Sequence, residues 1–371
     1  MTDKRIVPIV MPKWGLSMKE GKLTSWLISP GAEIKPGDSI LEIETDKIAG
    51  SFEAPDGGVL RRAVGEVDVV YPVKALIGVI ADPSVPDSEI DEYVSGYVTP
   101  PAEEEGEAQA EAPQFVDVDG GKLRYAKKGE GAENVILIHG FGGDLVTWMF
   151  NVDGLAEGAT TYAIDLPGHG QSTKKIADPS VAGLARTVVS FMESLGIEKA
   201  HLVGHSLGGA IAMEVARSAP ARVKSLSLVA PAGLGPEINI DYINGFVAAN
   251  SRRDLKDLLG KLFADQSLVS RQMMDEVLKY KRLDGVVPAL RSLADGFAPG
   301  GKQKDILSGS LKPAIPTLVI WGKEDQILPV AHSANAKGAH VEILEGAGHM
   351  PHMEKASKVT SLIKDQIAKA S

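Results

Sequence analysis

The sequence predicts a chain of two domains: a small all-β domain, then a mostly parallel, doubly wound α/β domain carrying a helical cap. Three observations carry that expectation. The 371 residues exceed what one hydrophobic core usually organises. Residues 1–82 are short β-like runs separated by turn residues, with no helical period. From Phe115 onward, short continuous apolar runs alternate with amphipathic helical stretches.

In the first region the runs are Ile6–Met11, Gly21–Leu27, Ser39–Glu44, Gly50–Glu53, Val59–Arg62 and Ala75–Ile80. They suit a small sandwich or flattened barrel. Residues 83–114 change character, with Pro86, Pro100, Pro101 and Pro113 among Glu103, Glu104, Glu105, Glu107 and Glu111. Such Ala-, Glu- and Pro-rich sequence cannot bury a core and is expected to be an extended, flexible linker. Within it Ile90, Tyr93, Val94 and Tyr97 fall near helical spacing, so Ser88–Tyr97 is a candidate docking helix. In the second region Asp119-Gly120-Gly121 joins Phe115–Val118 to Leu123–Ala126 as a hairpin. Strands follow at Val135–Ile138, Tyr162–Ile164, Leu202–Val203, Leu226–Val229, Leu318–Trp321 and Val341–Leu344, with helices such as Val181–Ser194 and Leu207–Ser218 between them. The helix-rich stretch 237–307 interrupts this alternation and is expected to lie over the sheet as a cap.

Composition narrows the function. Hydrophobic residues make up 44% and charged residues 24%, a soluble globular balance. A net charge of −10 argues against nucleic acid or an anionic membrane as the main partner. There is no cysteine, which excludes disulfides and thiolate metal sites, and no His/Asp/Glu set has metal-ligand spacing. No secretory signal or spanning apolar run is read, so the expected compartment is the cytoplasm.

The segment Glu42-Ile43-Glu44-Thr45-Asp46-Lys47-Ile48-Ala49 alternates apolar and charged residues up to Glu44 and then turns. Lys47 would project from a hairpin tip, a placement suited to a covalent arm that must reach distant sites. This region resembles the lipoyl domains of 2-oxo acid dehydrogenase complexes, on Met11-Pro12, Ser17-Met18, Glu20-Gly21, Trp26, Gly31, Gly37-Asp38 and above all Glu44-Thr45-Asp46-Lys47. The resemblance implies lipoate amide-linked to Lys47. Biotin carriers share the fold but usually flank their lysine with methionines, where this chain has Asp46 and Ile48. One departure is Lys74, near which lipoyl domains often have a glycine in a turn matching Gly37; a positive φ there would strain a lysine.

Gly204-His205-Ser206-Leu207-Gly208 is a G-x-S-x-G nucleophile elbow between an apolar strand and a helix, the context the motif requires. The acid should follow a later strand: Asp325 stands after Leu318–Trp321, with Glu324 as its neighbouring rival. The base should follow the next strand, where His349 stands after Val341–Leu344, with His352 as the alternative, more naturally a surface or cap residue. Two backbone amides, those of Leu207 and Phe141 in His139-Gly140-Phe141-Gly142-Gly143, are candidates for an oxyanion hole. His139 is read as loop-shaping, and Asp165–Gly170 as structural. Residues 115–371 resemble the α/β-hydrolase superfamily.

Taken together, with the start Met11-Pro12-Lys13-Trp14-Gly15-Leu16-Ser17-Met18, the chain is similar to the dihydrolipoyl acetyltransferase components of bacterial acetoin-cleaving (acetoin dehydrogenase) systems. That resemblance implies transfer of acetyl from S-acetyldihydrolipoyl-Lys47 to coenzyme A through Ser206. It also implies two partners, a thiamine-diphosphate-dependent acetoin dehydrogenase component and a dihydrolipoyl dehydrogenase. Two features depart from the acyltransferases of 2-oxo acid complexes: no H-x-x-x-D-G motif occurs, and no subunit-binding domain is recognisable in the linker. The alternative reading is a serine hydrolase or thioesterase fused to a lipoyl carrier.

Overall fold

The computed structural model describes residues 6–12, 18–35, 37–45, 49–54, 56–100, 114–311 and 314–370. The expected carrier position Lys47, with Asp46 and Ile48, lies outside them. The chain divides into two compact units, Met1–Ala112 and Pro113–Ser371.

The first unit is built from β1 (Ile6–Val10), β2 (Glu20–Trp26), β3 (Glu33–Ile34), β4 (Ser39–Glu44), β5 (Ala49–Glu53), β6 (Gly58–Ala63), β7 (Val70–Pro72), β8 (Leu76–Ala81) and α1 (Asp87–Gly96). Two four-stranded sheets form, ordered β1-β8-β6-β3 and β5-β4-β2-β7, and every recorded pairing within them is antiparallel. Ile9, Met11, Leu23, Ile40, Ile43, Leu60 and Ile77 are fully buried in one core. β4 and β5 pair from Ser39↔Glu53 to Glu44↔Ala49, which leaves residues 45–48 as their connection.

Here the expectation of a linker starting at residue 83 meets a different finding, because residues 87–96 form α1. β8 is buried along its whole length: Ile77 and Ile80 face the sandwich, while Leu76, Val79 and Ala81 face Val85 and Ile90 on the helix side. Burying Ile90 stabilises the docked helix by roughly 1.5–3 kcal/mol. Exposed pairs add register and little energy: Arg61 Nη2 donates to Asp87 Oδ1 at 2.8 Å and Arg62 Nε to Asp91 Oδ1 at 2.8 Å. The helical spacing of Ile90, Tyr93, Val94 and Tyr97 was the visible signal, and the packed faces Ile90, Tyr93, Val94 and Tyr97 agree with it. Residues 101–113 lie outside those described. Just past α1, the Tyr97 hydroxyl donates to the Lys74 carbonyl at 2.9 Å. Lys74 does sit at φ 69°, in the region that costs a non-glycine residue roughly 1–2 kcal/mol.

The second unit runs β9 (Gln114–Val118), β10 (Gly121–Lys128), β11 (Glu133–Ile138), α2 (Val152–Ala156), β12 (Ala159–Ile164), α3 (Val181–Ser194), β13 (Ala200–His205), α4 (Leu207–Ser218) and β14 (Val223–Val229). The helices α5 (Ile240–Ala248), α6 (Arg252–Gly260), α7 (Arg271–Lys281) and α8 (Val286–Phe297) come next, within the stretch expected to cap the sheet. The chain closes with β15 (Thr317–Gly322), β16 (His340–Leu344), α9 (Pro351–Glu354) and α10 (Ala356–Ala370). One eight-stranded sheet results, ordered β16-β15-β14-β13-β11-β12-β10-β9. β11 to β16 pair in parallel, while β10 is antiparallel to both β12 and β9. β11 lies between β12 and β13, so the strand order reverses there, the place where open α/β sheets bind ligands beyond the carboxyl ends of their strands.

Candidate active site

The turn after β13 puts Ser206 at φ 53° and ψ −118°, a strained conformation for serine. The surroundings over-determine it. Ser206 N donates to Val229 O at 3.0 Å, and its own carbonyl accepts from Gly209 N and Ala232 N at 2.9 Å. A Cβ on Gly204 would stand 2.3 Å from Gly208 O, and one on Gly208 2.2 Å from Ile138 O. Glycine is therefore required at both ends of the elbow for β11, β13 and α4 to close up. The half-buried Ser206 then opens α4, where unpaired backbone N–H groups favour negative charge.

Asp325 and His349 come from the loops after β15 and β16. Asp325 Oδ2 meets His349 Nδ1 at 2.8 Å and accepts from Trp321 Nε1 at 2.9 Å. Its other oxygen accepts from Ile327 N at 2.8 Å and Leu328 N at 3.0 Å. The carboxyl group is fully buried and takes partners on both oxygens, so it can hold an imidazole in one tautomer. Glu324 is engaged elsewhere, accepting from Ala347 N at 3.1 Å. His205 joins the two halves: its Nε2 lies 2.9 Å from the His349 carbonyl oxygen, and the rings stand 4.8 Å apart. Ser206, the next residue, therefore borders the His349 loop. Among the described residues no hydrogen bond within 3.5 Å links the Ser206 hydroxyl to His349. Such bonds are often long without substrate and tighten when it binds.

The loop after β11 faces the elbow, with a Cβ on Gly140 placed 2.9 Å from Ser206 Cβ. Phe141 is buried against His169, Phe246 and Phe297. Among the described residues, neither the Phe141 nor the Leu207 amide donates a hydrogen bond. Two histidines set this loop. His139 Nε2 accepts from Leu166 N at 3.0 Å, and His169 Nε2 accepts from Gly142 N at 3.0 Å. Asp165 ties the neighbouring loop through Leu145 N and Gln171 N, both at 2.8 Å. Burial holds His139 below the ordinary histidine value and His169 well below it, keeping both neutral as acceptors.

His352 departs from the sequence expectation of a surface or cap position. It is fully buried, stacked on Trp148 at 4.6 Å and on His205 at 4.5 Å, and burial, then the nearby His349, pushes it down to about 3. It packs as a neutral ring against Trp148 and His205, a placement that no local pattern announces. Glu354 was not singled out from the sequence at all. Its carboxylate accepts from Gly348 N at 2.6 Å and from Ala264 N at 2.7 Å. Among the described residues no cluster of His, Asp and Glu could hold a metal ion, and no helix is long and apolar enough to cross a membrane.

Comparison with known proteins agrees with both units. Residues 133–356 match the α/β-hydrolase fold family and residues 7–77 the family described as biotin-requiring enzyme. The meta-cleavage product hydrolase CumD of Pseudomonas fluorescens IP01 superposes with a TM-score of 0.64 at 25% identity, over 70% of this chain and 98% of its own. A membrane phospholipase A gives 0.62 at 27%, over 70% and 86%. Over nearly full length, this chain is 52% identical to the dihydrolipoyllysine-residue acetyltransferase component of the acetoin cleaving system of Cupriavidus necator, spanning 98% of this chain and 97% of that one. The component of the same name from Pseudomonas putida is 47% identical over 96% of each. With a lipoyl-type sandwich, an α/β-hydrolase fold and that likeness along both, the chain belongs to the family of dihydrolipoyllysine-residue acetyltransferase components of acetoin cleaving systems.

Proposed function

We propose that the second unit transfers acetyl from a lipoyl group on Lys47 to coenzyme A, with Ser206 as nucleophile, His349 as base and Asp325 as its orienting acid. The observation that carries this reading is the buried Asp325 carboxylate 2.8 Å from His349 Nδ1, beside an elbow that holds Ser206 at φ 53°. Lys47 falls in sequence between the paired Glu44 and Ala49, and the exposure of Glu44 supports placing the arm at that end of the hairpin. When attached, the lipoyl arm supplies the acetyl group as a thioester.

His349 takes the Ser206 hydroxyl proton as Oγ bonds to the thioester carbonyl carbon. The Phe141 and Leu207 amides receive the developing oxyanion. The carbon–sulfur bond breaks, and His349 returns the proton to the departing thiol, leaving acetyl-Ser206. Coenzyme A then gives its thiol proton to His349, its sulfur attacks the ester, and Ser206 Oγ leaves with that proton. The sum is an exchange of one thioester for another, with no net proton or electron. Two partner components complete the proposal: a thiamine-diphosphate-dependent enzyme that loads the arm and a dihydrolipoyl dehydrogenase that reoxidises it. The test is rapid-quench mass spectrometry on loaded protein without coenzyme A. Acetyl on the Ser206 peptide is expected, converted to acetyl-coenzyme A when coenzyme A is added. Turnover with no acetyl-serine at any time would replace this scheme with direct attack by the thiol.

A further inference from the structure

The base sits on a loop that is fastened to the cap, not to the sheet alone. Glu354, in α9, is nine-tenths buried and holds one oxygen on each side of the boundary: Oε2 on Gly348 N at 2.6 Å and Oε1 on Ala264 N at 2.7 Å. Gly348 immediately precedes His349, and Ala264 lies in the cap between α6 and α7. A second tie runs alongside, from His349 N to the Leu262 carbonyl at 2.8 Å. The two backbones are so close that a Cβ on Gly348 would stand 2.8 Å from both Ala264 N and Leu262 O. Phe263, between them, is buried.

A buried carboxylate costs free energy unless its oxygens are satisfied. Burial indeed raises the Glu354 carboxyl above its ordinary value, offset in part by the Gly348 and Ala264 amides. Fixing one backbone loop would need one amide. Using both oxygens across a seam fixes the seam.

We propose that Glu354 is a positioning residue that latches the His349 loop to cap residues 262–265, so that the base is aligned only while the cap is seated. This rests on the acyl-serine reading above. Its consequence is selectivity between acceptors. The acetyl ester on Ser206 can go to a thiol or to water, and both need His349. A base aligned only under a seated cap works where bulk water is excluded.

The test compares full-length lipoylated wild type with Glu354→Gln and Gly348→Ala, measuring acetyl-coenzyme A and free acetate from the same loaded protein. Glutamine can accept from one amide but presents an NH₂ to the other. The alanine pushes the cap backbone away and leaves Glu354 untouched. Both should lower acetyl-coenzyme A formation about 10²-fold, the size of effect a displacement of the order of 1 Å produces. Both should also raise acetate per acetyl consumed severalfold. A variant that folds, melts lower and keeps the wild-type ratio of the two products would overturn the latch. If neither variant folds, amide exchange in wild type decides: matched slow exchange at Gly348 and Ala264 is expected, and fast exchange at either overturns the proposal. Wild type that makes no acetyl-coenzyme A at all would instead sink the acyl-serine reading.

Discussion

The two units treat a reactive side chain in opposite ways. In the first, β4 and β5 pair up to Glu44↔Ala49, and the chemistry proposed for Lys47, between them in sequence, needs only that a lysine be presented outward. In the second, the Asp325 side chain is wholly buried, that of His349 nearly so, and each residue is held by several hydrogen bonds. A carrier is specified by display and a catalyst by enclosure. Four adjacent residues therefore suffice to recognise the first, whereas the proposed catalytic set, Ser206, Asp325 and His349, is spread along the chain.

That contrast can be broken most sharply by exchanging losses. Ser206→Ala should lower acyl transfer on the order of 10⁶-fold while intact mass still shows one lipoyl group. Lys47→Arg should remove the lipoyl group yet leave hydrolysis of a small activated acetyl ester at the wild-type rate. If either substitution abolished both properties, the units would not be chemically separate. Asp325→Asn should cost less, about 10⁴-fold, because its one oxygen can still accept from the Ile327 and Leu328 amides, while its NH₂ faces Trp321 Nε1 and His349 Nδ1 and control of the His349 tautomer is lost.

Acid should then separate the units by stability. All 8 histidines of the chain lie in the second unit. Five of them, His139, His169, His201, His205 and His352, are held below the ordinary value by burial first, His352 down to about 3. A lowered folded-state pKa means that the unfolded chain binds more protons. The stability these neutral imidazoles contribute is present above about pH 6.5 and is lost as the pH falls toward their folded values, by up to ~1.4 kcal/mol per unit for each group. Melting curves between pH 7 and 5 should show the second unit falling by a few kcal/mol while the first holds. A parallel fall of both would contradict this. The smallest expected effect is Lys74→Gly, which relieves φ 69° and should stabilise the first unit by about 1 kcal/mol at most, less the entropy glycine adds to the unfolded chain. A lower midpoint for that unit would mean the lysine side chain earns its place by contacts.

Where local pattern decides structure, the sequence was legible. α3 and α4 occupy Val181–Ser194 and Leu207–Ser218, the spans read from amphipathicity alone, and the strand preceding each triad candidate was visible as a short apolar run. β3 and β7 were missed because two or three residues, one of them Pro72, are too short to show a period. α1 lies within the stretch whose Glu and Pro content reads as a linker, so Ser88–Tyr97 stands in the sequence only as a candidate helix. Yet β8, apolar at almost every position, carried the counter-signal, since a strand apolar on both faces must be covered on both. His352 and Glu354 were illegible for a different reason. Their partners Trp148 and Ala264 are distant in sequence, and no spacing rule reports a contact the fold itself creates.

The helix on β8 also sets the edges of what can be exchanged between proteins. A carrier excised after Asp82 would bare Leu76, Val79 and Ala81, a greasy stripe prone to self-association, and would lose the Tyr97 hydroxyl from the Lys74 carbonyl. The transplantable module therefore ends beyond Tyr97. Grafting it onto another enzyme should preserve solubility only when that appendage travels with it.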